Sequence, residues 1–327
     1  MIISRTPLRI SFFGGGTDLP EFFMKSGRGA VLGTAVDKHI FHSVMPFHSH
    51  LFDYSIRISY RKVECVNGVD EIEHAPFREC LKYVGIDRDI EIDLTAELPS
   101  FSGMGSSSSF TVGLLNALLA YRGRTVPRME LAYMAIEIER EILKEAVGCQ
   151  DQVFAAIGGM NVVEFITPRN IVAHSIPLSA QRREELESSF MLFYTGMKRR
   201  AASVEAKKIN NIDAISGTLK KMLEQVDEGY RILTGTGPLS DFGMLLDNAW
   251  RHKRSLEESV SNDAIDKIYD TAVRAGALGG KVVGAGGGGF ILFFVPPEKQ
   301  DNVRKALGDF HQIGFAMNAP GSSIIYS

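Results

Sequence analysis

Between Pro99 and Ser109 the chain reads Pro-Ser-Phe-Ser-Gly-Met-Gly-Ser-Ser-Ser-Ser, and the serines open a stretch of helical periodicity. Glycines let a backbone approach a phosphate closely. The first-turn amides of a helix have no internal partner, and the helix dipole adds positive potential there. Serine hydroxyls donate to phosphate oxygens or ligate a hard cation such as Mg2+. A capped helix needs one serine, so four in a row after two glycines point to a phosphate site. Gly103, Met104, Gly105, Ser106, Ser107, Ser108 and Ser109 are its candidate residues. No lysine follows the glycines, which excludes the Gly-x-x-x-x-Gly-Lys-Ser/Thr loop. Neutralising charge must come from a metal and from elsewhere in the chain.

A second run, Gly284-Ala-Gly-Gly-Gly-Gly289, has the spacing Gly-x-Gly-x-x-Gly. A dinucleotide fingerprint should follow a strand and open a helix. This run leads instead into the strand-like Phe290–Val295, so a tight turn approached by another backbone or a ligand fits better.

The elements that must position these residues fall in two groups. The first hundred residues read mainly as strands and turns, including 9–13, 31–44, 54–60 and 90–94. Helices follow at 106–121 and from Pro127 to Gly148, then a short helix and a strand over 155–164. The polar segment 168–179 is the expected junction, dividing the chain into 1–175 and 176–327. Beyond it come a strand at 190–194, helices near 203–233, 239–259 and 262–276, the strand at 290–295, a helix near 298–309 and two terminal strands. Strands and helices that do not alternate strictly indicate an α+β fold.

Bulk properties limit the partners. The chain has 327 residues, 45% hydrophobic and 23% charged, the balance of a globular protein with a sizeable core. A net charge of −3 provides no global field for nucleic acid or an anionic membrane. Cys65, Cys80 and Cys149 are odd in number and widely spaced, hence expected as packing residues in a reducing compartment. There is no apolar leader at the N-terminus and no run long enough to span a bilayer, so the expected location is cytoplasmic.

Three segments together resemble the GHMP kinase superfamily. They are Pro7-Leu-Arg-Ile-Ser-Phe-Phe-Gly-Gly-Gly-Thr-Asp18, the Pro99–Ser109 loop, and Lys281-Val-Val-Gly-Ala-Gly-Gly-Gly-Gly289. Phe13-Gly-Gly-Gly-Thr-Asp18, Val147-Gly-Cys-Gln-Asp-Gln152, Phe193-Tyr-Thr-Gly196 and Gly321-Ser-Ser-Ile-Ile325 look like the sugar-1-kinase branch, which includes heptose 7-phosphate kinases. The resemblance implies a two-domain fold with a ribosomal-protein-S5-like N-terminal domain and a ferredoxin-like α/β-plait C-terminal domain, the active site lying between them. It implies ATP and Mg2+ as cofactors. It also implies transfer of the γ-phosphoryl group to the anomeric hydroxyl of D-glycero-D-manno-heptose 7-phosphate, for nucleotide-heptose and surface polysaccharide synthesis.

By the same resemblance Asp151 is the catalytic aspartate, and Arg9 is the cation that stabilises transfer. Glu139 borders the apolar stripe of its helix, four residues after Ala135 and three before Ile142. The resemblance makes it the Mg2+ ligand together with Ser107, while Glu137, Glu141 and Glu145 are expected in solvent. Gly16, Thr17 and Asp18 fall where relatives hold sugar hydroxyls, and Gly286 and Gly287 are further substrate-site candidates. Lys198 and Arg199 precede a helix N-terminus, where the dipole disfavours cations. They are candidates for a substrate phosphate, with a solvated basic turn as the alternative. Tyr60 to Glu64 is a candidate adenine region. Partners are then ATP and a small sugar phosphate, with neither nucleic acid nor membrane, and a homodimer stays open. A kinase for another sugar such as fucose, and a non-catalytic sugar sensor, are the competing readings.

Overall fold

The computed structural model describes residues 1–100, 102–197 and 201–327. Its first sheet is built on two long antiparallel strands, β1 (Ile2–Phe13) and β2 (Gly29–Pro46), joined through the short helix α1 (Pro20–Ser26). From Leu8 to Phe13 every residue of β1 is buried, because the strand has protein on both faces. Then come β3 (Ile56–Ser59), β4 (Val63–Val66), α2 (Ala75–Val84) and β5 (Ile90–Ala96). Strand β5 pairs with the second half of β2 and runs parallel to β3.

Helix α3 (Ser106–Tyr121) packs across β1 and β2, buried over most of its length. Helix α4 (Arg128–Ile136) does not run on to Gly148 as its apolar stripe suggested. It passes into a π-helical segment, Glu137–Ile142, and a turn leads to α5 (Gln150–Ile157). Strand β6 (Met160–Thr167) pairs with the first half of β2, and β7 (Asn170–Ser175) pairs with β6. The segment read as a polar junction therefore contains a strand, whose one fully buried residue is Ile171.

After α6 (Ala180–Ser188), β8 (Phe190–Tyr194) begins the second sheet. Helices α7 (Ala201–Asn210), α8 (Ile212–Thr234), α9 (Ser240–Arg254) and α10 (Asp263–Ala275) follow, then β9 (Gly279–Val282) and β10 (Phe290–Phe294). Helix α11 (Gln300–Ala306) and β11 (His311–Ile313) complete it, in the spatial order β11-β8-β10-β9. Strand, helices, two strands, helix, strand, all antiparallel, is the ferredoxin-like plait. The expected helix over 203–233 is divided at Asn211.

One hydrophobic core runs through both halves, and a second, around Phe193, Trp250 and Phe293, lies within the second half. Phe12 stacks on Phe190 at 5.3 Å and Phe13 meets Phe242 edge-on at 4.9 Å, while Leu219 and Val226 of α8 reach the Gly14–Gly16 turn. The last strand, β12 (Ser323–Tyr326), returns to the first sheet and pairs with β1. Cys80 and Cys149 pack inside as expected, whereas Cys65 is exposed on the edge strand β4. Among the described residues, no helix is long and apolar enough to cross a membrane.

Candidate active site

The Pro99–Ser109 segment links β5 to α3 and places the free amides of the first turn beside Arg9 on β1. The Arg9 backbone amide donates to the Met104 carbonyl at 3.0 Å. Its guanidinium is almost fully buried, with Nη1 on the Gly103 carbonyl at 2.7 Å. Nε and Nη2 donate to the two carboxylate oxygens of Asp151 at 2.8 and 2.7 Å. This bidentate fork joins residues 142 positions apart and fixes the Asp151 carboxylate beside the phosphate loop. Each carboxylate oxygen retains a lone pair for a hydroxyl proton.

The second glycine run supports the first from behind. A Cβ on Gly103 would stand 2.4 Å from the Val283 carbonyl oxygen, and one on Gly284 would stand 2.3 Å from that of Gly103. The Phe290 amide also donates to the Ser102 carbonyl at 3.2 Å. The close partner of this turn is thus the backbone of the phosphate loop.

Asp18 lies close to Asp151, whose charge it feels. It is buried, and its carboxylate accepts from the amides of Gly16 at 2.9 Å and Gln150 at 3.2 Å. Burial pushes its pKa up to about 6, and the negative charges of Asp151 and Glu205 add to the rise. Gly148 leaves the space the carboxylate fills, since a Cβ there would sit 1.9 Å from Asp18 Oδ2. Thr17, also buried, turns its hydroxyl into the fold, onto the carbonyls of Gly14 and Ala30 at 2.8 and 2.7 Å. Its observed bonds hold the Gly14–Asp18 turn against β2.

Glu139 projects inward from the π-helical segment, a distortion that recurs at functional sites. Its Oε2 accepts from Ser108 at 2.8 Å and from Gln152 at 2.5 Å, and its buried Oε1 has no hydrogen-bond partner. Burial raises its pKa to about 7, the neighbouring Thr111, Ser108 and Gln152 oppose the rise, and the Glu145 charge adds to it. An unpartnered buried carboxylate oxygen beside a serine-rich helix N-terminus fits a hard dication. The serine that touches Glu139 is Ser108; Ser107 is exposed. Glu145 is half-buried rather than in solvent.

Two family models match the chain: GHMP kinases N terminal domain over residues 74–159, and GHMP kinases C terminal over residues 222–312. The D-glycero-alpha-D-manno-heptose 7-phosphate kinase of Campylobacter jejuni is 30% identical over 320 residues, covering 94% of this chain and 93% of that protein. The chain belongs to the GHMP kinases. It is accordingly an ATP-dependent phosphotransferase with the two-domain α+β fold of that family, whose members use ATP with Mg2+. The L-fucokinase/L-fucose-1-P guanylyltransferase of Bacteroides fragilis is 24% identical over 341 residues, 93% of this chain and 35% of that longer protein. The crystal structure of a D-glycero-D-manno-heptose 1-phosphate kinase from Bacteroides thetaiotaomicron superposes over 100% of both chains, with a TM-score of 0.81 at 23% identity, and shares the fold.

Lys198 and Arg199 lie outside the described residues. Gly286 and Gly287 pack against Val260, the Gly287 amide donating to its carbonyl at 2.8 Å. Tyr60 and Glu64 are joined at 2.8 Å, and Tyr60 enters an aromatic cluster with His74 and Phe77 that reaches Phe110 in the second turn of α3. The sequence reading missed three buried lysines around the second glycine run: Lys208, Lys253 and Lys281. Only Lys281, inside the third motif, carried any signal in the sequence.

Proposed function

We infer that the chain is an ATP-dependent sugar 1-kinase, with the anomeric hydroxyl of D-glycero-D-manno-heptose 7-phosphate as acceptor. The observation that carries the kinase chemistry is the Arg9–Asp151 fork beside the phosphate loop, with Asp18 next to it. The heptose assignment rests on the Campylobacter jejuni relative.

In this reading the amides and hydroxyls of Gly103–Ser109 hold the nucleotide phosphates. Glu139, with Ser107 or Ser108, would hold Mg2+, whose charge offsets that of the phosphates when bound. Asp151 orients the acceptor hydroxyl and takes its proton. The acceptor oxygen bonds the γ-phosphorus as the bond from phosphorus to the departing ADP oxygen breaks. Arg9 stabilises the charge that develops during transfer. Asp18, held by Gly16 and the Thr17 turn, accepts from sugar hydroxyls. Lys198 and Arg199 would hold the acceptor's own phosphate, while Gly286 and Gly287 would shape the acceptor pocket.

ADP release from Mg-ATP, measured with a panel of sugars and sugar phosphates, tests the assignment. Turnover should be highest with heptose 7-phosphate. Preference for a free hexose such as fucose would overturn the acceptor, and no turnover with any sugar would favour a sensor.

A pH profile tests Asp18. Its raised pKa means the carboxylate is lost as pH falls through about 6. The acceptor kcat/KM should therefore fall below that pH. Asp18→Asn should remove this limb and leave any limb due to the acceptor's phosphate. An acid limb identical in both proteins would take Asp18 out of the acceptor site.

A further inference from the structure

Three lysines from three elements converge on the second glycine run, each almost wholly buried: Lys208 on α7, Lys253 on α9 and Lys281 on β9. Lysine is rarely buried unless its ammonium has partners. Here most of the partners are backbone carbonyls. Lys253 Nζ donates to the Val282 carbonyl at 2.8 Å and to that of Gly284. Lys208 Nζ pairs with Glu205 at 2.9 Å and reaches the Ala285 carbonyl at 3.4 Å. Lys281 Nζ donates to the carbonyls of Ser11 and Phe12, both at 2.7 Å.

The cations also repel one another. Burial depresses the Lys253 pKa far below the ordinary range, with the charges of Lys281 and Lys208 adding to the shift; Glu205 opposes it and Arg9 adds slightly. Burial, Arg9 and Lys208 likewise push Lys281 down to about 7. Four basic groups crowded together are costly, and what they hold in common is backbone. The carbonyls of 282, 284 and 285 run from the end of β9 into the turn that abuts Gly103. Those of 11 and 12 follow Arg9 on β1.

We propose that Lys253, Lys281 and Lys208 are positioning residues that lock the Val283–Gly289 turn and the end of β1 together, so that the phosphate loop, Arg9 and Asp151 stay in one register. The chain of contacts is short. Lys253 fixes the Gly284 carbonyl, Gly284 packs on Gly103, the Gly103 carbonyl takes Arg9 Nη1, and Arg9 holds Asp151. Lys281 fastens β1 itself, through the carbonyls of Ser11 and Phe12 just beyond Arg9. Displacements of about 1 Å at a reacting centre cost about 10²-fold in rate, so loose support would be felt in turnover.

The test is Lys253→Met, which keeps the apolar stem and removes the donors. Hydrogen exchange of peptides covering 283–290 and 102–106 should quicken about tenfold or more while the rest of the chain keeps its protection. With Mg-ATP and whichever acceptor the wild type turns over, kcat should fall about 10–100-fold and the acceptor KM should stay within about threefold. Unchanged exchange in those two peptides would overturn the proposal. So would uniformly faster exchange with normal turnover per folded molecule, which marks a purely structural lysine. A rise confined to the KM of a phosphorylated acceptor would also overturn it, by making Lys253 an anion ligand. If Lys253→Met does not fold, Lys208→Met takes its place. Its weaker bond to Ala285 should give faster exchange over 283–290, and no change there would equally refute the idea. The exchange readout needs no acceptor, so it stands apart from the heptose assignment.

Discussion

Asp151→Asn should lower turnover about 10²–10⁴-fold, with the dissociation constant for ATP changed by less than about threefold. The variant keeps the shape of the carboxylate and removes its charge and its ability to take a proton. Arg9 then faces an amide that can accept one of its two donors but not both. Arg9→Met should cost about 10²–10³-fold by removing the cation beside the transferring group. Because the two side chains form one fork, the double variant should be scarcely worse than the worse single variant. Single-turnover kinetics with nucleotide binding measured in parallel would check this. Multiplying losses in the double variant would mean that the two groups act separately. Full activity of Asp151→Asn would end the proposed role. Losing one partner of a largely buried pair also costs about 1–3 kcal/mol of stability, so a denaturation midpoint must accompany each rate.

Glu139→Gln should raise the Mg2+ concentration needed for half-maximal activity about 10–100-fold. Its effect on stability without ligands should depend on pH. The folded protein keeps the Glu139 proton up to about pH 7, against an ordinary value of 4.5. A raised carboxylate pKa gives its full contribution below the unfolded value and loses it as pH rises through the folded one. The stability of wild type relative to Glu139→Gln should therefore fall by about 3 kcal/mol between pH 4.5 and 7. Mg2+ with a non-hydrolysable ATP analogue should flatten that fall, because the metal takes the place of the proton. Chemical denaturation of both proteins across this range would reveal it. A flat difference, or an unchanged Mg2+ requirement, would remove Glu139 from the metal site.

The phosphate loop was legible because its signal is local: residue types in the turn and the period of α3 both lie within a short stretch. Single strands of the second sheet were legible for the same reason, since Phe190–Tyr194 is a strong apolar run, but their arrangement as a plait came only from the family resemblance. Helix α1 escaped because seven residues are too few to display a period. Strand β9, Gly279–Val282, escaped because its glycines read as a turn. Ser108 rather than Ser107 meets Glu139 because neighbouring helical residues point about 100° apart, a phase that tertiary packing decides. The burial of the three lysines was invisible for another reason: their ligands are mainly carbonyls, which every residue carries. Arg9 and Asp151 are brought together by the sheet and α5, and only the family resemblance linked them beforehand.

Strand β12 has a consequence for how the molecule is made. β1 is made about three hundred residues before one of its two strand neighbours, Ser323–Tyr326. At about 5–20 residues per second, β1 waits roughly 15–60 s for that partner. During this wait the edge that β12 will cover is open to pairing with a neighbouring nascent chain. Thr6 likewise lacks its Ser322 partner, and Gly158 lacks its bridge to Pro320. The strand that carries Arg9 thus waits for β12, and a stall before residue 323 would leave the first sheet unfinished.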